Sequence, residues 1–160
     1  MRLLLLIALA GITAPEKKLD NRPVEMTAKG GLWVDLKKQT GIAKGDVVVR
    51  RDDVTVCCDR AEATFMKNEV QRVECTGNVV IVRPDGTRAH ADKAVFEAST
   101  DTVTLTGKAR VTSTAADLEG ESIVYDIATD KLEVQGSKAR FRYKPEAEAA
   151  EKGRPCPPPS

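Results

Sequence analysis

Few side chains in this 160-residue chain could do chemistry: one histidine, His90, four cysteines, Cys57, Cys58, Cys75 and Cys156, and a scatter of carboxylates. A nucleophilic triad would have to run through His90 with Asp92 or Asp85, and no Gly-x-Ser-x-Gly elbow is present to hold a serine. A histidine on the surface of a strand is the plainer reading. The cysteines lack Cys-x-x-Cys spacing, and a zinc set of Cys57, Cys58, Cys75 and His90 would ask adjacent residues, on opposite faces of one strand, to converge on one ion. Cys58 and Cys75 share a parity, so in an oxidising compartment they could be bridged; two buried thiols acting as small apolar groups is the alternative. Asp52 and Asp53 fall in a turn, where solvated carboxylates are ordinary. Asp59, Asp92 and Glu121 recur at one place in a repeat, which points to a backbone-bonding role at an irregularity of the strand. Nothing in these sets predicts an enzyme, a metal or a cofactor.

The repeat positions these residues. Gly45, Gly77, Gly107 and Gly136 follow one another at intervals of 32, 30 and 29 residues, each opening a Gly-x-x-Val-like segment. Fixed periods of this size mark one supersecondary unit used several times. An acidic residue stands 14, 15 and 14 residues after the first three glycines, and an aromatic, Trp33, Phe65, Phe96 or Tyr125, stands 12, 12, 11 and 11 residues before each of the four. The stretch around Trp33 is therefore a degenerate half unit.

Within the unit the apolar residues alternate, as in a strand buried on one face. Val73, Cys75, Val79 and Ile81 share one phase, the turn Pro84-Asp85-Gly86 reverses the chain, and a second strand returns through Asp92 to Phe96. At the acidic residue the apolar phase steps by three, from Cys58 to Ala61, from Ala91 to Ala94, and from Gly120 to Ile123. A step of three in a period-two element means a slip of one residue, as at a bulge or corner that bends the strand while keeping its apolar face inward. Strands are expected over 41–51, 54–65, 103–112, 118–127 and 132–143, with the hairpin over 73–96 supplying two more. At about ten residues each they span on the order of 33 Å. In the last, the apolar phase flips beyond Gly136, leaving Lys138, Arg140, Arg142 and Lys144 on one face.

Composition agrees with a β-rich chain: aromatics are 4%, and the charged residues alternate with apolar ones. The formal net charge of +1 argues against a dedicated nucleic-acid binder, whose phosphate contacts need a basic excess. Met1-Arg2 followed by the apolar run from Leu3 to Leu9 reads as an export signal over 1–14, cleaved after Ala8-Leu9-Ala10 or near Ala14, and too short to span a bilayer. Residues 15–24 read as a linker, 25–144 as the folded domain, and the proline- and glutamate-rich 145–160 as a disordered tail.

Gly-Asn-Val-Val-Ile at Gly77, Ala91-Asp92-Lys93-Ala94-Val95-Phe96, and Leu105-Thr106-Gly107 resemble the repeats of the LptA/OstA family of periplasmic lipopolysaccharide-transport proteins, over about Ala28 to Tyr143. Cys58-Asp59 and Gly120-Glu121 depart from the family's Ala-Asp, and the first unit has two extra residues before Phe65. The resemblance implies an all-β fold, an open, twisted antiparallel β-jelly roll built from these roughly thirty-residue repeats, whose V-shaped apolar interior holds lipid acyl chains and whose ends stack head to tail. It implies no catalysis. The inward phase then nominates Val47, Val49, Val79, Ile81, Phe96, Leu105, Val111, Tyr125 and Leu132 as groove-lining, against the plainer possibility that such residues pack on one another as a closed core. An assembly edge is expected at Lys138, Arg140, Phe141, Arg142 and Tyr143. The implied partners are lipopolysaccharide, further copies of the chain, and LptC-like and LptD-like proteins of the inner and outer membranes. The competing readings are a ligand-free exported β-solenoid and an LptC-like or LptD amino-terminal-like relative.

Overall fold

Among the described residues ten strands form one antiparallel sheet: β1 (Val24–Thr27), β2 (Gly31–Asp35), β3 (Thr40–Arg51), β4 (Val54–Met66), β5 (Glu69–Val82), β6 (Arg88–Glu97), β7 (Thr102–Thr112), β8 (Ala116–Asp126), β9 (Lys131–Gln135) and β10 (Arg140–Tyr143). The structure, a computed structural model, describes residues 23–51, 53–144 and 156. Most of the expected signal and linker, and the tail apart from Cys156, lie outside these residues. The strand order is β1-β3-β4-β5-β6-β7-β8-β10, with β2 also on β3 and β9 also on β8. Every neighbouring pair is antiparallel, which rules out the parallel coils of a solenoid.

A crease crosses the long strands. Between Lys44 and Val47 the register slips, so that Gly45 and Asp46 stand against Asp59 alone. The same two-against-one arrangement sets Gly77-Asn78 against Asp92 and Gly107-Lys108 against Glu121. Both residues of each pair have left-handed backbone: φ is 74° and 43° at Gly45-Asp46, 80° and 47° at Gly77-Asn78, and 77° and 50° at Gly107-Lys108. Glycine opens the second and third pairs because the acid of the preceding strand fills the space a side chain would need, while at Gly45 the backbone of Gly30 fills it. A Cβ on Gly77 would lie 2.9 Å from Asp59 Cβ, and one on Gly107 would lie 2.7 Å from Asp92 Cβ. The recurring acids were expected to bond backbone. Two of them take a side-chain hydrogen bond from the residue after the glycine: Asn78 Nδ2 donates to Asp59 at 3.0 Å, and Ser137 Oγ donates to Glu121 at 3.0 Å.

The slip explains the broken apolar phase. Acid-bearing strands step by three between inward residues, as the sequence predicts, while glycine-bearing strands step by four, from Ala43 to Val47, Cys75 to Val79 and Leu105 to Ala109. All six of these residues are buried. The sheet therefore folds into two arms with one continuous apolar inner face. The first arm carries β1, β10 and the halves of β3 to β8 that include Val47, Cys58, Val79, Ala91 and Ala109; the second carries β2, β9 and the halves that include Ala43, Ala61, Cys75, Ala94, Leu105 and Ile123. Residues of both arms join a single core cluster, in which Ile123, Val47 and Val79 are almost wholly buried. Small side chains gather beside the crease because the two faces converge there, and packing at native density leaves no room for larger ones.

The expected strand over 132–143 is two strands. Gly136, with φ of 115°, breaks it, and the chain passes from β9 on the second arm to β10 on the first. Crossing the crease is what flips the apolar phase. The central hairpin turn is as predicted: Asp85 Oδ1 accepts from the Thr87 amide at 2.9 Å, and Gly86 has φ of 85°.

Candidate functional site: an apolar V and its two ends

The nominated groove residues occupy three environments. Val47, Val49, Val79, Leu105 and Val111 lie in the buried core, with Ile81 packed against it. Leu132 is 41% exposed at an edge. Phe96 and Tyr125 lie at the rim of the second arm, each beneath an arginine of the first: the Arg51 guanidinium is 5.8 Å from the Phe96 ring centre, and that of Arg83 is 5.6 Å from Tyr125. Tyr125 donates to Asp130 Oδ1 at 2.7 Å, and Arg83 reaches the tyrosine oxygen at 3.4 Å and Asp130 at 3.6 Å. Loss of water around the phenol, followed by its bond to Asp130, raises the Tyr125 pKa. The tyrosine stays a donor.

Both arginines cross the mouth with the same offset, from β3 to β6 and from the end of β5 to β8. First-arm strands thus lie over second-arm strands three places further along the sheet, as expected when a twisted sheet folds on itself. At the amino-terminal end this leaves the second-arm halves of β2, β3 and β4 incompletely covered. A cavity of about 200 Å³ opens there, lined by Val24 and Met26 from the first arm and by Leu32, Val34, Phe65 and Val73, among others, from the second. Its lining is almost entirely apolar. None of these was nominated from the sequence. Val73 shares the legible inward phase of Cys75 and Val79, but Leu32 and Val34 stand on the phase opposite to Trp33, which the repeat aligns with the inward aromatics, and which end of the V stays unfilled depends on the offset.

The two ends of the sheet expose large apolar side chains. Leu32, Trp33, Val34 and Leu36 stand 48%, 54%, 55% and 85% exposed at the amino-terminal end, and Phe141 and Tyr143 stand 65% and 68% exposed at the other. β10 is an edge strand, and the basic residues in it and just after it face acids of β8: Arg140 lies 4.0 Å from Glu119, Arg142 lies 3.9 Å from Asp117, and Lys144 lies 2.7 Å from Asp117. The Lys144 hydrogen bond in particular holds the Asp117 carboxyl below its usual range. Lys138 precedes the strand.

The cysteines separate by face. Cys57 is disulfide-bonded to Cys156, with Cα atoms 6.0 Å apart, while Cys58 and Cys75 are buried free thiols at the base of the V. A hydrogen bond between these two, reinforced by burial, pushes the Cys75 thiol up and so keeps it protonated. His90 sits on the outer face of β6, paired with Val80 and Arg110 across the strands. Loss of water, then the charges of Arg88 and Arg110, lowers its pKa. The residues of the imagined zinc set are thus split between faces, and among the described residues no group of three or more His, Cys, Asp or Glu could hold a metal.

One sheet creased into an apolar V, with an open amino-terminal end and, among the described residues, edge strands at both ends, defines the class: an open β-jelly roll of the OstA-like kind. A solved structure shares this fold, that of LptH of Pseudomonas aeruginosa, described as the LptA-homologous periplasmic component of the conserved lipopolysaccharide transport device; TM-score is 0.70 at 22% identity, over 78% of this chain and 96% of that one. The family model "LptA/(LptD N-terminal domain) LPS transport protein" matches residues 31–131, and the chain belongs to that family. No curated protein matches the sequence.

Proposed function

We propose that the chain is an exported periplasmic carrier that holds the acyl chains of lipopolysaccharide in its V and passes them along a head-to-tail assembly between LptC-like and LptD-like partners. The observation that carries this reading is the apolar inner face left open as a cavity at the amino-terminal end. Ligand sites of this kind are concave and mostly apolar, and a transport family supplies the lipid. The family model also covers LptD amino-terminal domains; in that second reading the same V receives lipid beside an outer-membrane barrel.

Photo-crosslinkers placed at Phe65, Val73, Ile81 or Leu105 in a native host should capture lipopolysaccharide, and those at Thr104 or Val124, on the other face of the second arm, should not. Equal capture on both faces overturns the reading. The assembly has its own test. Edge strands accept a partner strand when nothing blocks them, and the apolar side chains at the two ends give such a contact something to bury. Light scattering across a concentration series should show wild type growing in mass, while Phe141→Asp with Tyr143→Asp stays monomeric and still binds lipid. Growth of the variant would place the contact elsewhere.

A further inference from the structure

We infer that Arg51 and Arg83 are latches that hold the two arms of the V shut, and that the V admits its lipid by releasing them; the second clause rests on the acyl-chain reading above, the first does not. Four observations carry it. The inner-face core is closed, with Val47 and Ile123 at 0% exposure and Val79 at 1%, so a lipid with several chains cannot lie along the V in this state. The open cavity, at about 200 Å³, is below the usual size of a pocket for even a drug-sized molecule. Contacts across the mouth include cationic planes on aromatic faces, Arg51 on Phe96 and Arg83 on Tyr125, the latter with Asp130. Such contacts are individually weak and can be broken one at a time, unlike the interdigitated core beneath. Finally, both latches sit on the inward phase two residues beyond the last inward apolar residue, Val49 before Arg51 and Ile81 before Arg83, so they bridge the rims and leave the crease, where the arms would hinge, untouched.

The molecule carries its own reporter of opening. Cys58 and Cys75 are free and face the base of the V, at 4% and 3% exposure. If the arms part, a small thiol reagent reaches these sulfurs without global unfolding. Such partial openings are distinguished from unfolding by a shallow dependence on denaturant, because little surface is exposed. We therefore expect labelling of the two thiols in Arg51→Ala/Arg83→Ala to be about tenfold faster than in wild type at low urea, the order expected for loss of two such contacts, with a shallow urea slope. Tyr125→Phe, which keeps the ring but loses the bond to Asp130, should fall between them. Unchanged labelling, or acceleration only along a steep urea slope, overturns the latch. Adding lipopolysaccharide should protect the thiols; its failure to do so in a protein whose labelling still responds to the latch variants counts against the acyl-chain reading and leaves the latch standing.

Discussion

Gly107→Val is expected to destabilise the fold by on the order of 3 kcal/mol, and Gly77→Val by a similar amount. Two costs add. A β-branched residue in left-handed backbone is strained by roughly 1–3 kcal/mol, and the new side chain must displace the acid beneath it, an overpacking cost typically of 1–3 kcal/mol. The acid cannot easily yield, since the clash begins at its Cβ, 2.7 Å from the Cβ position at Gly107. Urea unfolding measures the effect as a shift in midpoint at constant slope. Lys108→Gly, in the same left-handed pair with φ of 50°, is the control. It relieves strain while freeing the unfolded chain, and should stay within about 1 kcal/mol of wild type. Pairing Gly107→Ala with Asp92→Gly should recover part of the loss, because the two residues contend for one space. If both valine variants melt like wild type, the crease does not depend on its glycines.

Removing the disulfide should cost about as much. Cys57 and Cys156 are separated by 99 positions, and a cross-link over so long a loop typically contributes about 2–4 kcal/mol, mainly by restricting the unfolded chain. Cys57→Ser and Cys156→Ser should each lower the urea midpoint, the double variant should be no worse than the single ones, and a reducing agent should lower wild type to the same level. Cys58→Ala should not respond to reducing agent in this way beyond the wild-type shift. Denatured, unreduced protein should titrate two thiols. Four thiols, with a midpoint indifferent to reductant, would show that the bond does not form.

The crease was legible in the sequence because it is local: a step of three at Cys58-Asp59-Arg60-Ala61, repeated at Asp92 and Glu121, reports a slip wherever the strand lies. In the glycine strands only the recurring glycines mark it, because the apolar phase does not. A step of four preserves parity, so Cys75 to Val79 reads as an unbroken strand although two left-handed residues interrupt it. The buried core was equally readable from phase, but not the fate of its members. Whether Phe96 and Tyr125 line a groove or carry an arginine depends on which strand lies opposite, and the three-strand offset comes from accumulated twist. Arg51 and Arg83 were passed over for the same reason: each abuts a turn, where charge is unremarkable. The pairing of Cys57 with Cys156 joins an outward position to a stretch with no pattern, so no spacing announces it.

Because the crease is made of one contact used again and again, an acid of one strand beneath the glycine of the next, the length of the trough is a count of units. Each unit contributes two strands, or about 10 Å along the direction in which strands stack, and leaves the cross-section as it was. Duplication of the segment between Gly77 and Gly107 would lengthen the trough by that increment and supply its own acid and glycine to both neighbours. In such a molecule, gain or loss of capacity is a matter of copying a segment of chain, and no core has to be redesigned.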